Sequence, residues 1–257
     1  MIKDKKIKII LIIICVFIVA FQGVNLFFDL KYYGEARQKY DFIREIYVDD
    51  AINEDDGGEG YPRLDIDMDK LRAMNEDFTG WIYYPYLALS YPVVKEKEID
   101  EYMYKTFDGS RNKAGCLYED ILSDSNFCGR HDIIFGHNMK DGSMFGALSA
   151  LNGSKGNFLT GDNARFYVYT DDKVYQYRVF AYYVTSSGSG AYSVVGSDKE
   201  YDNFISFIKM NNAMTIPSDI DFSKRDSILT LSTCSGKAGG DGRFVVHSVK
   251  TDTWDVE

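Results

Sequence analysis

A closed or nearly closed β-barrel behind one membrane-spanning helix is the architecture this sequence predicts, on three observations. From Trp81 to Lys250, short runs rich in β-branched and aromatic residues follow one another at close spacing, most of them bounded by turn residues. A single amphipathic helical segment interrupts these runs late in the chain. The N-terminus pairs a basic flank with an apolar stretch long enough to cross a bilayer.

The N-terminal stretch comes first. Lys3, Lys5, Lys6 and Lys8 precede the apolar run Ile9 to Phe28, and about 20 such residues span a membrane as a helix. The basic flank stays cytoplasmic, which sends everything after Asp29 to the extracellular face. No small-x-small cleavage site follows, and the run is long for a signal-peptide core. Residues 1–28 therefore read as an uncleaved signal anchor of a single-pass membrane protein, with a cleaved signal peptide as the rival reading.

Residues 29–63 read as a spacer. Tyr33, Ala36, Tyr40, Ile43 and Tyr47 recur at helical spacing, so this segment packs on the domain or holds it away from the membrane. The acidic, glycine-rich "NEDDGGEGYPR" reads as a loop or hinge. Residues 64–257 form the folded domain. It opens with a short helix in "DMDKLRAMNEDF", with Asp67 as N-cap and Leu71 and Met74 facing inward.

The strand candidates then run "GWIYYPYLALSYPVV", "AGCLYED", "HDIIFGH", "ARFYVYT", "KVYQYRVFAYYVT", "SILTLSTC" and "RFVVHSVK". "DDK" joins two of them as a hairpin. The late helix, "SDKEYDNFISFIKMNNAM", places Tyr201, Phe204, Ile205 and Ile208 on one side.

Composition excludes several function classes. A net charge of -10 opposes nucleic-acid binding, which needs clustered Lys and Arg. The four cysteines show no CxxC pair and the three histidines no HExxH spacing, so neither a metal nor a cofactor is expected. Cys116, in an alternating run, reads as a small hydrophobe, and Cys128 as an unpaired surface thiol.

Cys234 ends a strand-like run and precedes a glycine-rich loop. Taken alone, packing and nucleophilic readings stand equal. His137 follows a glycine at the exit of the apolar run "DIIF", where rigid scaffolds present functional side chains. His131 reads as a solvated loop residue, and His247 as structural because it alternates with Val245 and Val249. Arg243 opens the strand after the glycine-rich loop. If antiparallel strands end at Cys234 and begin at Arg243, both reach one end of the barrel. A guanidinium there suits an oxygen gaining negative charge, although a solvated strand-end arginine is the plain alternative.

These residues carry a resemblance. "TLSTC" (Thr230 to Cys234), the arginine after the following loop, and "IIFGHNMKDGSMFGAL" (Ile133 to Leu148) resemble the signature segments of class B sortases. "FTGWI", "YPVV" and "KTFDGSRNKAGCLYED" are similar to the segments leading into them, so the likeness spans roughly residues 64–250. The resemblance implies an eight-stranded sortase-type barrel with an extra helix between its sixth and seventh strands. It also implies a membrane-anchored cysteine transpeptidase of Gram-positive bacteria. Such enzymes cleave a C-terminal sorting signal of the NPxTx kind after its threonine, then join that carbonyl to a peptidoglycan amine. On this reading Cys234 is the nucleophile, His137 the proton carrier and Arg243 the oxyanion or substrate-backbone partner.

Three more residues are candidate substrate contacts. Ser232 shares a strand face with Cys234, Tyr192 lies in "SSGSGAYSVV", which matches a loop lining the family's signal groove, and Asn138 follows His137. An ordinary strand serine, a packing tyrosine and a turn-forming asparagine remain the alternatives. A purely hydrolytic cysteine peptidase, or a non-catalytic surface-binding domain on the same scaffold, are the competing functions.

Overall fold

The computed structural model describes residues 2–50, 60–124, 126–151, 159–236 and 240–256. Most of the acidic glycine-rich stretch, at 51–59, and residues 237–239 of the loop after Cys234 lie outside the described residues. The elements in order are helix α1 (Ile2–Tyr47), strands β1 (Val48–Asp50) and β2 (Leu64–Ile66), helix α2 (Met68–Met74), then strands β3 (Phe78–Tyr84), β4 (Leu89–Lys95), β5 (Leu117–Glu119) and β6 (His131–Phe135). Strands β7 (Arg165–Tyr169) and β8 (Lys173–Ser186), helix α3 (Asp198–Asn211) and strands β9 (Ile228–Cys234) and β10 (Gly242–Asp255) follow.

Eight strands close into a barrel in the order β10-β8-β7-β3-β4-β5-β6-β9, while β1 and β2 form a separate antiparallel pair. Two barrel pairings, β4 with β5 and β6 with β9, are parallel. Helix α3 lies between the sixth and seventh barrel strands, where the resemblance put it. Closure removes the unpaired edges that an open sheet would expose.

Local chemistry explains the helix ends. The Asp67 side chain caps α2 by accepting from the Lys70 amide at 3.1 Å, and Leu71 is fully buried while Met74 is half-buried against the core. Ser197 and Glu200 form a capping box at α3: the serine accepts from the Glu200 amide, and the glutamate accepts from Gly196. Tyr201, Phe204, Ile205 and Ile208 are the buried face of α3.

The N-terminal helix differs from expectation in one respect. The apolar run and the spacer helix are a single unbroken α1 through Tyr47. Nothing between Phe28 and Tyr33 breaks a helix: neither Pro nor a turn cluster intervenes. Its apolar part is long enough to cross a membrane and touches no other element. Its last turns dock on the barrel through Ala36, Tyr40 and Ile43, flanked by Tyr33 and Tyr47. The Tyr40 hydroxyl donates to the Gly115 carbonyl at 2.6 Å and accepts from the Phe107 amide at 3.3 Å.

Pairing of β9 with β10 stacks four layers on the barrel's outer face: Ile228 with Val249, Thr230 with His247, Ser232 with Val245, and Cys234 with Arg243. Helix α3 and the one-turn 3₁₀ helix Gly190–Tyr192 cover the first three. Thr230 and Ser232 are fully buried beneath them, whereas Cys234 is exposed.

His131 is not a solvated loop residue. It opens β6, half-buried, with its ring 4.3 Å from that of Phe204 on α3. Its Nδ1 lies 2.8 Å from the Ser193 carbonyl and its Nε2 2.8 Å from Thr230 Oγ1. Thr230 Oγ1 also meets His247 Nδ1 at 2.7 Å, and His247 Nε2 meets the Tyr183 hydroxyl at 2.9 Å. A carbonyl only accepts, so His131 carries its hydrogen on Nδ1. With both rings neutral, the bonds must then run in one direction: Tyr183 donates to His247, His247 to Thr230, Thr230 to His131, and His131 to Ser193. Burial holds both imidazoles neutral, His131 titrating down at about 4 and His247 well below its ordinary value.

Two predictions come from this packing. Tyr40→Phe should lower unfolding stability by about 1–3 kcal/mol, since it strands a buried carbonyl and amide; denaturant unfolding of the micelle-solubilised chain measures it. His131→Asn should also destabilise, with a pH signature. The unfolded chain binds more protons between about pH 6.5 and 4, so the network's contribution is full above that window and fades as pH falls through it. The gap in Tm between wild type and variant should therefore narrow towards pH 4. Comparing the two cancels the opposite contribution of Asp132, whose carboxyl burial pushes up to about 6.

Candidate functional site

Strand β9 delivers the cysteine. In register it pairs Phe135 of β6 with Ser232, and the Gly136 amide donates to the Ser232 carbonyl at 3.1 Å. His137 follows two residues beyond Phe135, and Cys234 two residues beyond Ser232, so both side chains emerge at the same end of the barrel. On the other side of β9, Arg243 is the direct cross-strand partner of Cys234. Side chains of such a pair point to the same face. His137, Cys234 and Arg243 line one cavity of about 340 Å³.

Each of the three is held from behind. The His137 Nε2 lies 2.5 Å from the Met103 carbonyl, so Nε2 carries a hydrogen and Nδ1 is left for proton exchange. The Tyr104 ring lies 5.8 Å from the imidazole. Gly115, at φ +60°, lets the backbone of Tyr102 and Met103 pass close; a Cβ there would sit 2.6 Å from the Met103 oxygen and 3.1 Å from the His137 ring. Arg243 Nη1 donates to the carbonyls of Gly240 and Gly242 at 3.1 and 2.9 Å, which orients the fork. Its Nη2 and Nε have no partner among the described residues and are open to a substrate oxygen.

The other three candidates fall into place differently. Asn138 Nδ2 donates to the Cys234 carbonyl at 2.8 Å, tying the histidine loop to the end of β9. That amide hydrogen is occupied, and the residue links loop to strand. Ser232 is fully buried, and its hydroxyl shares a 2.8 Å hydrogen bond with the Tyr192 hydroxyl. The Tyr192 ring stacks on Phe135, centroids 6.0 Å apart, and forms the wall of a second cavity of about 260 Å³ with Val194, Leu122 and Arg243. Arg243, Asp120, Leu122 and Phe135 border both cavities, so the two make adjoining parts of one groove.

Sequence reasoning missed the Met103 carbonyl, because a backbone acceptor leaves no mark on residue type. It also missed Glu96, Asp100 and Asp120 on the cavity wall, which read in sequence as ordinary surface acids.

All four cysteines are free thiols. Cys116 is buried and its thiol pushed up to about 12 by that burial, so it stays protonated. Cys128 is exposed, its Sγ 3.2 Å from the Asn126 carbonyl. Among the described residues no group of three or more His, Cys, Asp or Glu side chains is arranged to hold a metal ion. A larger cavity, about 540 Å³, lies beside β2 against Tyr61, Tyr169 and Trp254 and contains none of these candidates.

Known proteins share this arrangement of elements. The Sortase domain family matches residues 82–251. Sortase B of Listeria monocytogenes is 26% identical over 239 residues, covering 92% of this chain and 93% of the relative. Sortase B of Staphylococcus aureus is 28% identical over 170 residues, 65% of this chain and 67% of the relative. Among solved structures, sortase B from Bacillus anthracis in complex with AAEK1 superposes with a TM-score of 0.71 at 26% identity, covering 87% of this chain and 99% of that one. The eight-stranded barrel, the helix before its seventh strand and these matches place the chain in the sortase family, in class B.

Proposed function

We propose that this sortase is a membrane-anchored transpeptidase that cuts a C-terminal sorting signal of the NPxTx kind after its threonine and transfers the carbonyl to a peptidoglycan amine. Residues 1–28 anchor it with the N-terminus in the cytoplasm, 29–63 form the spacer, and 64–257 act on the extracellular face. The observation that carries the reading is the cavity that His137, Cys234 and Arg243 line together, with Cys234 paired across the strands to Arg243.

The chemistry follows from those positions. The Cys234 thiolate attacks the threonine carbonyl carbon, and the displaced electron pair moves onto the oxygen, where the open edge of the Arg243 fork meets it. His137 gives the proton on Nδ1 to the departing amine as the tetrahedral adduct collapses to a thioester. The incoming amine attacks the thioester and returns a proton to Nδ1, and the thiolate leaves. Atoms and charge return to their starting state. Asn138 holds the strand end that carries the nucleophile, and Tyr192 and Ser232 shape the groove wall.

Full-length protein in detergent, given a signal peptide and a short glycine peptide, should yield a ligated product and a thioester on Cys234 seen by mass spectrometry. Cys234→Ala should abolish both; retained turnover would sink the mechanism. Hydrolysed product alone, with no ligation at any amine concentration, would favour a peptidase. Arg243→Ala should lower kcat about a hundredfold or more, and Arg243→Lys should recover only part of it, because a point charge lacks the fork. Asn138→Ala should reduce kcat several-fold, the size of one hydrogen bond of about 1 kcal/mol, with KM little changed; a change confined to KM would make it a substrate contact instead.

A further inference from the structure

The folded domain meets α1 with no gap after the apolar run. From Ile7 to Phe28 every residue of the helix is exposed, and cover by the domain begins at Asp29, the next residue. Asp29, Tyr33, Ala36, Tyr40 and Ile43 then follow on one helix face. The part of the domain that reaches Asp29 is the tip of the 104–115 loop. Lys113 Nζ bonds the Asp29 carboxylate at 2.5 Å and lies 5.6 Å from the Tyr32 ring centroid. Asn112 Nδ2 donates to the Tyr32 carbonyl at 3.1 Å.

This loop runs down α1 and back. Its descending arm touches Lys39, through Asp108 at 2.6 Å and through the Ser110 hydroxyl. Its returning arm touches Tyr40, through the Gly115 carbonyl at 2.6 Å. Residues 111–113 are therefore the end nearest the apolar run.

Helix geometry converts that into a depth. At a rise of about 1.5 Å per residue, Asp29 lies about 1.5 Å and Tyr32 about 6 Å beyond Phe28. The headgroup layer on each side of a bilayer is about 5–7 Å deep. With Phe28 at the edge of the hydrocarbon, residues 111–113 stand inside that layer. Tyr32 and Tyr33, straight after the run, are of the residue type that membrane interfaces favour.

Charge selects the lipid. The chain carries a net charge of -10, so an anionic surface repels it as a whole. Cations near the tip are mostly paired within the chain: Lys113 with Asp29, Lys39 with Asp108, and Lys105 with Glu101 at 2.9 Å. Arg111 is the exception. It is exposed, and its side chain has no partner among the described residues. Its backbone is bridged to that of Lys105, and the neighbouring Asn112 is only 5% exposed, so the tip is held in shape beneath the free guanidinium. That fork of donors suits the oxygens of a phosphate.

We propose that the 111–113 tip is a membrane contact, in which Arg111 takes the phosphate of an anionic phospholipid headgroup. It rests on the membrane anchor proposed for residues 1–28. A headgroup held beside α1 gives the domain a second point of attachment, which resists tilting away from the bilayer as a single helix alone does not.

The experiment uses full-length protein in nanodiscs of phosphatidylcholine alone, or of phosphatidylcholine with phosphatidylglycerol, and follows amide hydrogen exchange by mass spectrometry. Exchange across 109–113 should be about fivefold slower in the anionic discs, the weight of one basic side chain near such a surface. The difference should shrink as salt is raised. Arg111→Glu should abolish it, and Arg111→Gln should leave at most a small part. Amides of β9 and β10 report in the same spectra that each variant is folded. Equal exchange in the two lipids, or a difference that survives Arg111→Glu, would overturn the contact. Protein washed off the discs by alkaline carbonate would overturn the anchor and the contact together. Acylation of Cys234 by a signal peptide, measured in the same discs, tests the chemistry separately. Protection of 109–113 without acylation would keep the contact and overturn the transpeptidase reading. Acylation without protection would do the reverse.

Discussion

The site depends on the register of β9 between two neighbours of opposite sense. Parallel pairing to β6 fixes which residue of the histidine loop arrives beside the strand's end, and antiparallel pairing to β10 fixes which residue returns opposite it. A slip of one residue against either neighbour would turn Cys234 into the barrel interior and bring Thr233 to the outer face. The buried layers prevent that slip. Thr230 bonds both His131 and His247, and Ser232 bonds Tyr192. Each would lose its partner if β9 moved, and an orphaned buried hydroxyl costs more than the bond was worth. Of the four layers, the one left uncovered is that of Cys234 and Arg243.

The same logic extends from β9 to the N-terminal helix α1. Tyr40 of α1 holds the Gly115 carbonyl, and Lys39 bonds Asp108 at 2.6 Å, so the 102–115 loop is fastened to the last turns before the domain. That loop presents the Met103 carbonyl to His137. Two hydrogen bonds, joined by that loop, thus link the docked end of α1 to the His137 ring. The last turns of α1 thereby support the wall behind the site.

The fold was legible in the sequence where a signal repeats: alternating β-branched and aromatic runs, the 3.6-residue spacing of Tyr201, Phe204, Ile205 and Ile208, and the spacing of Ala36, Tyr40 and Ile43. Cys234, His137 and Arg243 stood out as candidates because each lies at or just past a strand end with a glycine within two residues, and a motif joined them; the structure sets all three around one cavity. What was not legible depended on contacts between distant segments. His131 looks like a loop residue because its neighbours are Gly129, Arg130 and Asp132; its burial comes from Phe204, more than seventy positions later. Asn138 beside the histidine suggested substrate; nothing local reveals that its side chain also reaches the Cys234 carbonyl. Ser232 was correctly assigned to the face of Cys234, yet nothing local reveals that Tyr192 covers it.

Charge in the cavity is divided by function. Arg243 is its only permanent cation among the described lining residues, and it stands across the strand pair from Cys234. The carboxylates stand apart from it on the segments after β4 and β5. Were Glu96 within reach of Arg243, the two would pair and the guanidinium would meet a carboxylate in place of the developing oxyanion. Instead its fork is oriented by two neutral carbonyls, which fix the plane without neutralising the charge. Neutral acceptors behind the arginine and unpaired acids on the far wall are two aspects of one arrangement. It leaves the guanidinium without a carboxylate partner among the described residues, as the oxyanion role proposed for Arg243 requires.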